Sequence, residues 1–243
     1  MEARAGSQGD RRVKIHFDLK LIPLDSTDVE RIRSWRNDYR IWRWCRQSDL
    51  ISDVEQRDWY TRQSLDPTVR MYGIGWSFEG KHELVGVCGL TSLDWLNRRA
   101  EFSLYTAPEH HGKGFGRAAL RLLLLHAFGN LNLEQIWGEA IDGNPAIKTF
   151  EAMGFKRDGL RRRFYWKDGA PHDAVLFSIL RREFFDANRP AGAPDSPPAG
   201  GSGRPGGGPH VDDVEGAAGA SSECPAEDPA PAGDQEAQAD RPQ

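Results

Sequence analysis

Cysteine is scarce in this 243-residue chain. The three thiols, Cys45, Cys88 and Cys224, show no metal or redox spacing, and an odd, sparse set argues against a disulfide framework. It fits a reducing compartment. Cys88 lies in an apolar run and reads as a small core residue. Long apolar runs are also missing: none approaches the ~18 residues that a membrane helix needs. The opening stretch "MEARAGSQGDRR" has no apolar centre of the kind a secretory leader carries. These absences lead to the expectation of a soluble, cytoplasmic protein with no membrane partner. No internal repeat is visible.

Large apolar residues run out near the C-terminus. From Pro190 to Gln243 only Val211 and Val214 remain, while ten of the fifteen prolines lie there among Gly, Ala and acids. Such a stretch cannot bury enough surface to offset its ordering entropy, so residues 190–243 are expected to be a disordered tail. That tail holds ten acids and two arginines, a net of −8, against −4 for the whole chain. The body, residues 12–188, is therefore net positive by about four charges and long enough for one core. The excess suits an anionic ligand, or is simply an ordinary solvated surface.

Within the body the elements read β-α-α-β-β-β-α-β-α-β-β. "KIHFDLKLIPL" alternates as a strand. Residues 25–39 read as one helix capped by Asp25, Ser26 or Thr27. "SDVEQRDWYTRQSL" opens with a Ser52/Glu55 capping-box pattern and stops before Pro67. Strands follow at about 71–78 and 83–92 around "EGKHE", and at "RRAEFSLYTA". "RAALRLLLLHAF" is apolar nearly all round and should be buried on most sides. "EQIWGEAI" is a strand, and "NPAIKTFEAM" a short helix stopped by Gly154. A hairpin turning at "KDGA" closes the domain. Strands joined through helices, with a hairpin meander in the middle, make an α/β fold with a mixed sheet.

The most informative stretch is "YTAPEHHGKGFGRAALRLLLLHAF". Three glycines in five residues, Gly112, Gly114 and Gly116, run straight into a helix. Glycines let backbone N–H groups turn toward one point, and the first turn of a helix adds its unpaired amides and the positive end of its dipole. That combination seats a phosphate or diphosphate, and Lys113 and Arg117 add full charges. The stretch is neither a Walker loop, which needs Gly-Lys-Ser/Thr, nor the dinucleotide fingerprint, because position 117 is Arg.

His111-Gly112-Lys113-Gly114-Phe115-Gly116 resembles the Gln/Arg-x-x-Gly-x-Gly/Ala signature of the GNAT superfamily of N-acetyltransferases, with His in the first place. The resemblance extends to "AEFSLYTAPEHHGKGFGRAALRLLLLHAF" and to "LNLEQIWGEAIDGNPAIKTFEAMGFKRDGLRR", including the ending Met-Gly-Phe. "SWRNDYRIW" and "QRDWYTRQSLDP" are similar to the acceptor-side helices of the branch that holds ribosomal-protein N-terminal and nucleotide-amino-sugar N-acetyltransferases. The resemblance covers about residues 12–185 and implies a mixed, mostly antiparallel sheet flanked by helices, the acyl-CoA N-acyltransferase fold.

It also implies acetyl-CoA as co-substrate, without a metal. Its diphosphate would lie on His111, Gly112, Lys113, Gly114, Phe115, Gly116 and Arg117, and its pantetheine arm along Leu104, Tyr105 and Thr106. An acceptor amine would attack the thioester directly. The first candidate base is Glu101, whose alternative is a surface pair with Arg98 or Arg99. The second is Glu139, whose alternative is a solvated or ion-paired strand position. Asn144 would bond the pantetheine, cap the short helix, or both. Many relatives place a Tyr in the fourth helix to protonate the thiolate; here Phe150 stands there, and Phe has no proton to give, which leaves Tyr165, Tyr105, water or the helix dipole. Trp35, Arg36 and Asn37 would face the acceptor, or pack two helices onto the sheet. "LRRRFYWKDG" is a lip for an anionic acceptor or nucleic acid, or a strand edge guarded by charge, and the edge is favoured.

The expected function is N-acetylation of a small-molecule amine such as a nucleotide-linked amino sugar. The alternatives are acetylation of a protein N-terminus and a non-catalytic acyl-CoA- or nucleic-acid-binding module. Oligomeric state is not legible.

Overall fold

The structure, a computed structural model, describes residues 18–189 apart from Ser48. The tail expected at 190–243, and the start of the body at 12–17, lie outside the described residues.

Seven strands form one sheet in the order β1-β2-β3-β4-β5-β7-β6. They are β1 (Asp18–Ile22), β2 (Arg70–Phe78), β3 (Lys81–Asp94), β4 (Arg99–Thr106), β5 (Gln135–Ile141), β6 (Lys156–Lys167) and β7 (Ala170–Leu180). All neighbours are antiparallel except β4 and β5. That parallel pair holds for three residues only, Arg99–Glu101 beside Gln135–Trp137, and then the strands part. Just past the parting, the Phe102 ring lies against Gly138, where a Cβ would come within 2.4 Å of it. A side chain on β5 and this ring could not share the space.

The first expected helix is two. A 3-10 turn, Ser26–Asp28, leads into α1 (Val29–Arg36), and α2 (Tyr39–Trp42) follows. Asp25 does cap: its carboxylate accepts from Thr27 N at 2.9 Å, and Asp28 answers by accepting from Asp25 N at 3.0 Å. The break comes at Asp38, which is extended and accepts from Arg40 N at 2.8 Å. A short polar side chain that bonds nearby backbone competes with helix continuation. α3 (Asp53–Leu65) begins with the expected reciprocal cap between Ser52 and Glu55. The β2–β3 turn uses Glu79 and Gly80, both at positive φ, as tight hairpins require.

α4 (Phe115–Gly129) buries Phe115, Ala119, Leu120, Leu123, Leu124, Ala127 and Phe128 in the main core. It is less enclosed than expected, since Leu125 is exposed and Leu122 only half-buried. α5 is Ala146–Ala152. A last helix, α6 (Arg181–Ala187), was hidden in the apparent end of the hairpin. Glu183 accepts from Leu180 N at 3.0 Å to start it, and Phe184 packs on Phe128.

Alternation along β3, reset by a bulge at Val85 where its register with β2 shifts, separates two cores. Cys88 and Leu90 face the large cluster with α4, while Leu84 and Val87 join Ile32, Trp35, Ile41 and Ala107 on the α1–α2 side. Helices thus cover both faces, and the cleft opened between β4 and β5 lies between them. No helix among the described residues is long and apolar enough to cross a membrane.

Candidate active site

The parting of β4 and β5 opens a cleft of about 550 Å3, walled by α3, residues 44–47 and the start of α5. Beyond the end of β4, which walls this cleft, lies the glycine loop. Gly112 and Gly114 have φ of 74° and 90°, a left-handed conformation that costs other residues about 1–2 kcal/mol. A Cβ at Gly112 would meet nothing within 4 Å, so its surface is open. Gly114 starts α4 without any side-chain cap, which leaves the first-turn amides directed outward. Lys113 and Arg117 are both exposed beside them. These residues fit a diphosphate. His111 has a different role from the Arg or Gln of the resemblance: its Nε2 donates to Thr106 O at 3.1 Å, tying the loop to the end of β4. Leu104 and Tyr105 line the cleft beside it.

The two acids expected from the sequence come together. Glu101, only 3% exposed, is the last residue of β4 that pairs with β5. Its expected surface partners are elsewhere: Arg98 bonds Asn132 and Glu134, and Arg99 bonds Asp94. The actual partner is Arg46, which ion-pairs with Glu101 and also reaches Glu139 at 3.2 Å. Thr91 donates to Glu101 at 3.4 Å. Glu139 accepts in addition from Arg161, at 2.9 Å, and from the Tyr165 hydroxyl. Two residues four apart on one strand reach one carboxylate because β6 bulges between them: Arg161 and Tyr165 face β7 residues only two apart, Ala174 and His172. β6 is the outermost strand of the sheet.

Arg46 is absent from the sequence reading. It lies in the irregular stretch 43–47, which no periodicity marks, and long-range bonds hold it in place. Lys167, otherwise buried, donates to Gln47 O and sits over the Trp42 ring, and Gln47 Nε2 donates to Arg36 O at 3.1 Å.

The acceptor-side residues divide. Arg36 lines the cleft, stacked over Trp59 and bonded to Gln56 at 3.2 Å. Trp35 is buried in the α1–α2 core and does not line the cleft. Asn37 is committed to Ile51, accepting from its N–H and donating to its carbonyl, both at 2.8 Å. Asn144 caps α5 by accepting from Ala146 N at 2.9 Å, and also borders the cleft.

Phe150 borders the cleft too, edge-to-face with Phe102 at 5.0 Å. Hydroxyls come instead from two tyrosines. Burial, and then the bond to Glu139, push Tyr165 up to about 12. Tyr105 is held above the usual tyrosine range by burial, and its hydroxyl has no hydrogen-bond partner among the described residues. Both therefore keep their protons at neutral pH, Tyr165 beside the acids and Tyr105 within the cleft wall. The floor has carboxylates that can take a proton from an amine, and beyond the end of β4 stands a glycine loop whose residues fit a diphosphate, an arrangement compatible with acyl transfer from a nucleotide-bearing thioester.

Comparison with known proteins agrees. Residues 18–156 match the family model of the acetyltransferase (GNAT) domain. A putative ribosomal N-acetyltransferase, YdaF of Bacillus subtilis, is 32% identical over 184 residues, covering 71% of this chain and 96% of the relative. A spermidine N(1)-acetyltransferase of Vibrio cholerae is 27% identical over 173 residues, covering 71% and 98%. The crystal structure of spermidine N-acetyltransferase from Vibrio cholerae in complex with CoA and spermine superposes with a TM-score of 0.65 at 27% identity, covering 69% of this chain and 98% of that one. With its fold, its glycine loop and its matched length all in agreement, this chain belongs to the GNAT acetyltransferase family and is an N-acetyltransferase that uses acetyl-CoA.

Proposed function

We propose that the cleft acetylates the primary amine of a small acceptor that also carries an anionic group, of which a nucleotide-linked amino sugar is one example. The observation that supports this most is Arg46. Its guanidinium bonds both floor acids, and Arg161 bonds Glu139 a second time. Two acids matched by two arginines offer little net attraction to a multiply charged cation. Higher on the wall, Arg36 and Arg62 line the same cleft, and guanidinium groups suit phosphate and carboxylate.

The acceptor enters as an ammonium and must lose a proton before it attacks. Glu101 is the base in this reading, through a direct contact or one water, and Arg46 and Thr91 hold its carboxylate in place. The amine then attacks the thioester carbon, the C–S bond breaks, and the thiolate takes a proton from the Tyr165 or Tyr105 hydroxyl or from water. The amides of the glycine loop hold the diphosphate.

A second reading is acetylation of a peptide N-terminus, favoured by the similarity to the ribosomal-type relative. Mass spectrometry of products from acetyl-CoA with an amino-sugar nucleotide, short peptides and spermidine separates these. The first reading expects turnover on the anionic amine. Acetylation of peptides alone would replace it with the second, and acetylation of spermidine alone would refute both.

A further inference from the structure

One cluster of ligating side chains lies outside the cleft. Glu83 stands near the start of β3, and Glu109 and His110 occupy the 3-10 turn Pro108–His110, between β4 and the glycine loop. One donor atom from each falls within 4.8 Å of the others. His110 Nε2 is 3.6 Å from Glu83 Oε1, too long for a hydrogen bond.

The imidazole is what makes the cluster informative. His110 is 8% exposed, and neither ring nitrogen has a hydrogen-bond partner among the described residues. Trp76 and Phe115 pack on the ring at 5.9 and 4.8 Å and fix its plane. A buried polar group without a partner costs about 1–3 kcal/mol, and such groups in native proteins usually answer to a ligand, an ion or a water. Here the unpartnered nitrogen faces two carboxylates. Glu109 is exposed and free to swing.

We propose that Glu83, Glu109 and His110 bind one divalent first-row transition-metal ion, zinc foremost. One imidazole and two carboxylates are a donor set of the type zinc accepts, with a water in the fourth place. Metal–ligand bonds of about 2.0–2.2 Å set donors roughly 3.4 Å apart in a tetrahedron. The 3.6 Å between His110 and Glu83 already approaches that, and rotation of Glu109 closes the third side. The ion would pin the turn that precedes His111 to β3, and so stiffen the approach to the diphosphate seat. Nothing in this proposal depends on the identity of the acceptor.

The test uses the full chain, prepared without a histidine tag and stripped with a chelator. It is titrated with Co2+, read by visible d–d absorption, and then with Zn2+ as competitor. One equivalent of Co2+ should bind, and Zn2+ should displace it. Glu83→Gln and Glu109→Gln should each weaken binding by about tenfold or more, on the scale seen for disturbed metal sites. His110→Asn should do the same; because His110 is buried, a thermal melt accompanies each variant, and the two Gln variants decide if His110→Asn fails to fold. No stoichiometric binding, or equal affinity in wild type and both Gln variants, overturns the proposal.

Discussion

Glu101 and Glu139, on strands that have just stopped pairing, share one guanidinium: Arg46 donates to Glu101 Oε2 at 3.3 Å and lies 3.2 Å from Glu139 Oε1. The side chain that does this is itself 56% exposed. A solvent-facing arginine therefore lies over two acids that are almost fully buried, and the charge seen by an entering amine depends on it.

Removing that arginine should change what the cleft accepts. Arg46→Ala leaves Glu101 without its cation. Full burial would make such a loss worth about 3–5 kcal/mol; because water can reach where Arg46 stood, about 1–2 kcal/mol of stability is expected, read by urea unfolding. Polyamines should gain as acceptors, with KM for spermidine falling at least several-fold, because Glu101 then faces the cleft uncompensated and Glu139 keeps only Arg161 as its cation. An unchanged KM for spermidine would mean that Arg46 does not set the charge of the site.

The acids themselves differ in their support. Glu101 is held by Arg46 and Thr91, whereas Glu139 is held by Arg46, Arg161 and Tyr165. If Glu101 is the base, Glu101→Gln should lower kcat/KM by about 10²–10⁴-fold, the usual worth of a positioned base. Glu139→Gln should cost less, because its charge is already committed to two arginines. Steady-state kinetics at saturating acetyl-CoA read both; an equal loss in the two variants would point to a shared proton path instead.

Much of this was legible locally. The Ser52–Glu55 cap, the Glu79–Gly80 turn and the glycine loop each announce themselves within a few residues, because capping and positive φ are short-range demands. Asp38 was read as part of a helix because nothing nearby showed that its carboxylate would stop α1 and start α2. α6 was lost because "LFSILRREFF" is apolar enough to extend a strand, and only packing of Phe184 on Phe128 decides it. Arg46 escaped altogether. Its position depends on contacts to residues 101, 139 and, through Gln47, 167, and no local pattern encodes a bond across such separations. Glu101 was named because strand alternation and the resemblance agreed on it, and Glu139 as the acid on the next strand; Trp35 and Asn37 were placed at the acceptor by resemblance alone, and the core and Ile51 hold them instead.

Alkaline pH should unfold the protein earlier than its composition suggests. Burial raises Cys88 from 9.0 to about 12 and Tyr165 from 10.0 to about 12, and raises Cys45, Tyr72 and Tyr105 as well. In each case the fold favours the protonated form. Their contribution is complete below pH 9, where folded and unfolded chains are both protonated, and is lost as pH climbs toward 12. Urea midpoints measured at intervals from pH 8 to 12 should fall continuously, and Tyr165→Phe should flatten part of the slope. A midpoint constant to pH 12 would contradict the assignment.

Asn37 gives a stability prediction with a local signature. Its side-chain amide donates to and accepts from the backbone of Ile51, tying the end of α1 to the segment just before α3. Asn37→Ala leaves the Ile51 N–H unpaired and its carbonyl with only the Arg33 guanidinium at 3.3 Å, and should cost about 1–3 kcal/mol. Asn37→Asp keeps the acceptor and should cost less. The acceptor KM should rise with little change in that for acetyl-CoA, since α3 walls the cleft while the glycine loop proposed to hold the diphosphate lies beyond the end of β4. Equal stability of the Ala and Asp variants would show that the bond accepted from the Ile51 N–H carries nothing.

Gly116 allows fold and ligand to be separated. It lies in the first turn of α4 at ordinary helical φ, and a Cβ there would touch only Thr106 Cγ2, at 3.9 Å. As far as the protein is concerned, Gly116→Ala is permitted, and should stabilise it by a few tenths to about 1 kcal/mol through the lower entropy of the unfolded chain. The resembling signature admits Ala at this place, so if the first-turn amides seat the diphosphate they stay reachable past the methyl, and the Kd for coenzyme A should hold within about threefold while the melting temperature rises or holds. Calorimetric titration and a thermal melt on the same sample read the two together. A loss of coenzyme binding of about tenfold or more in a variant that still folds would mean that the loop does not hold the diphosphate in the way the signature implies.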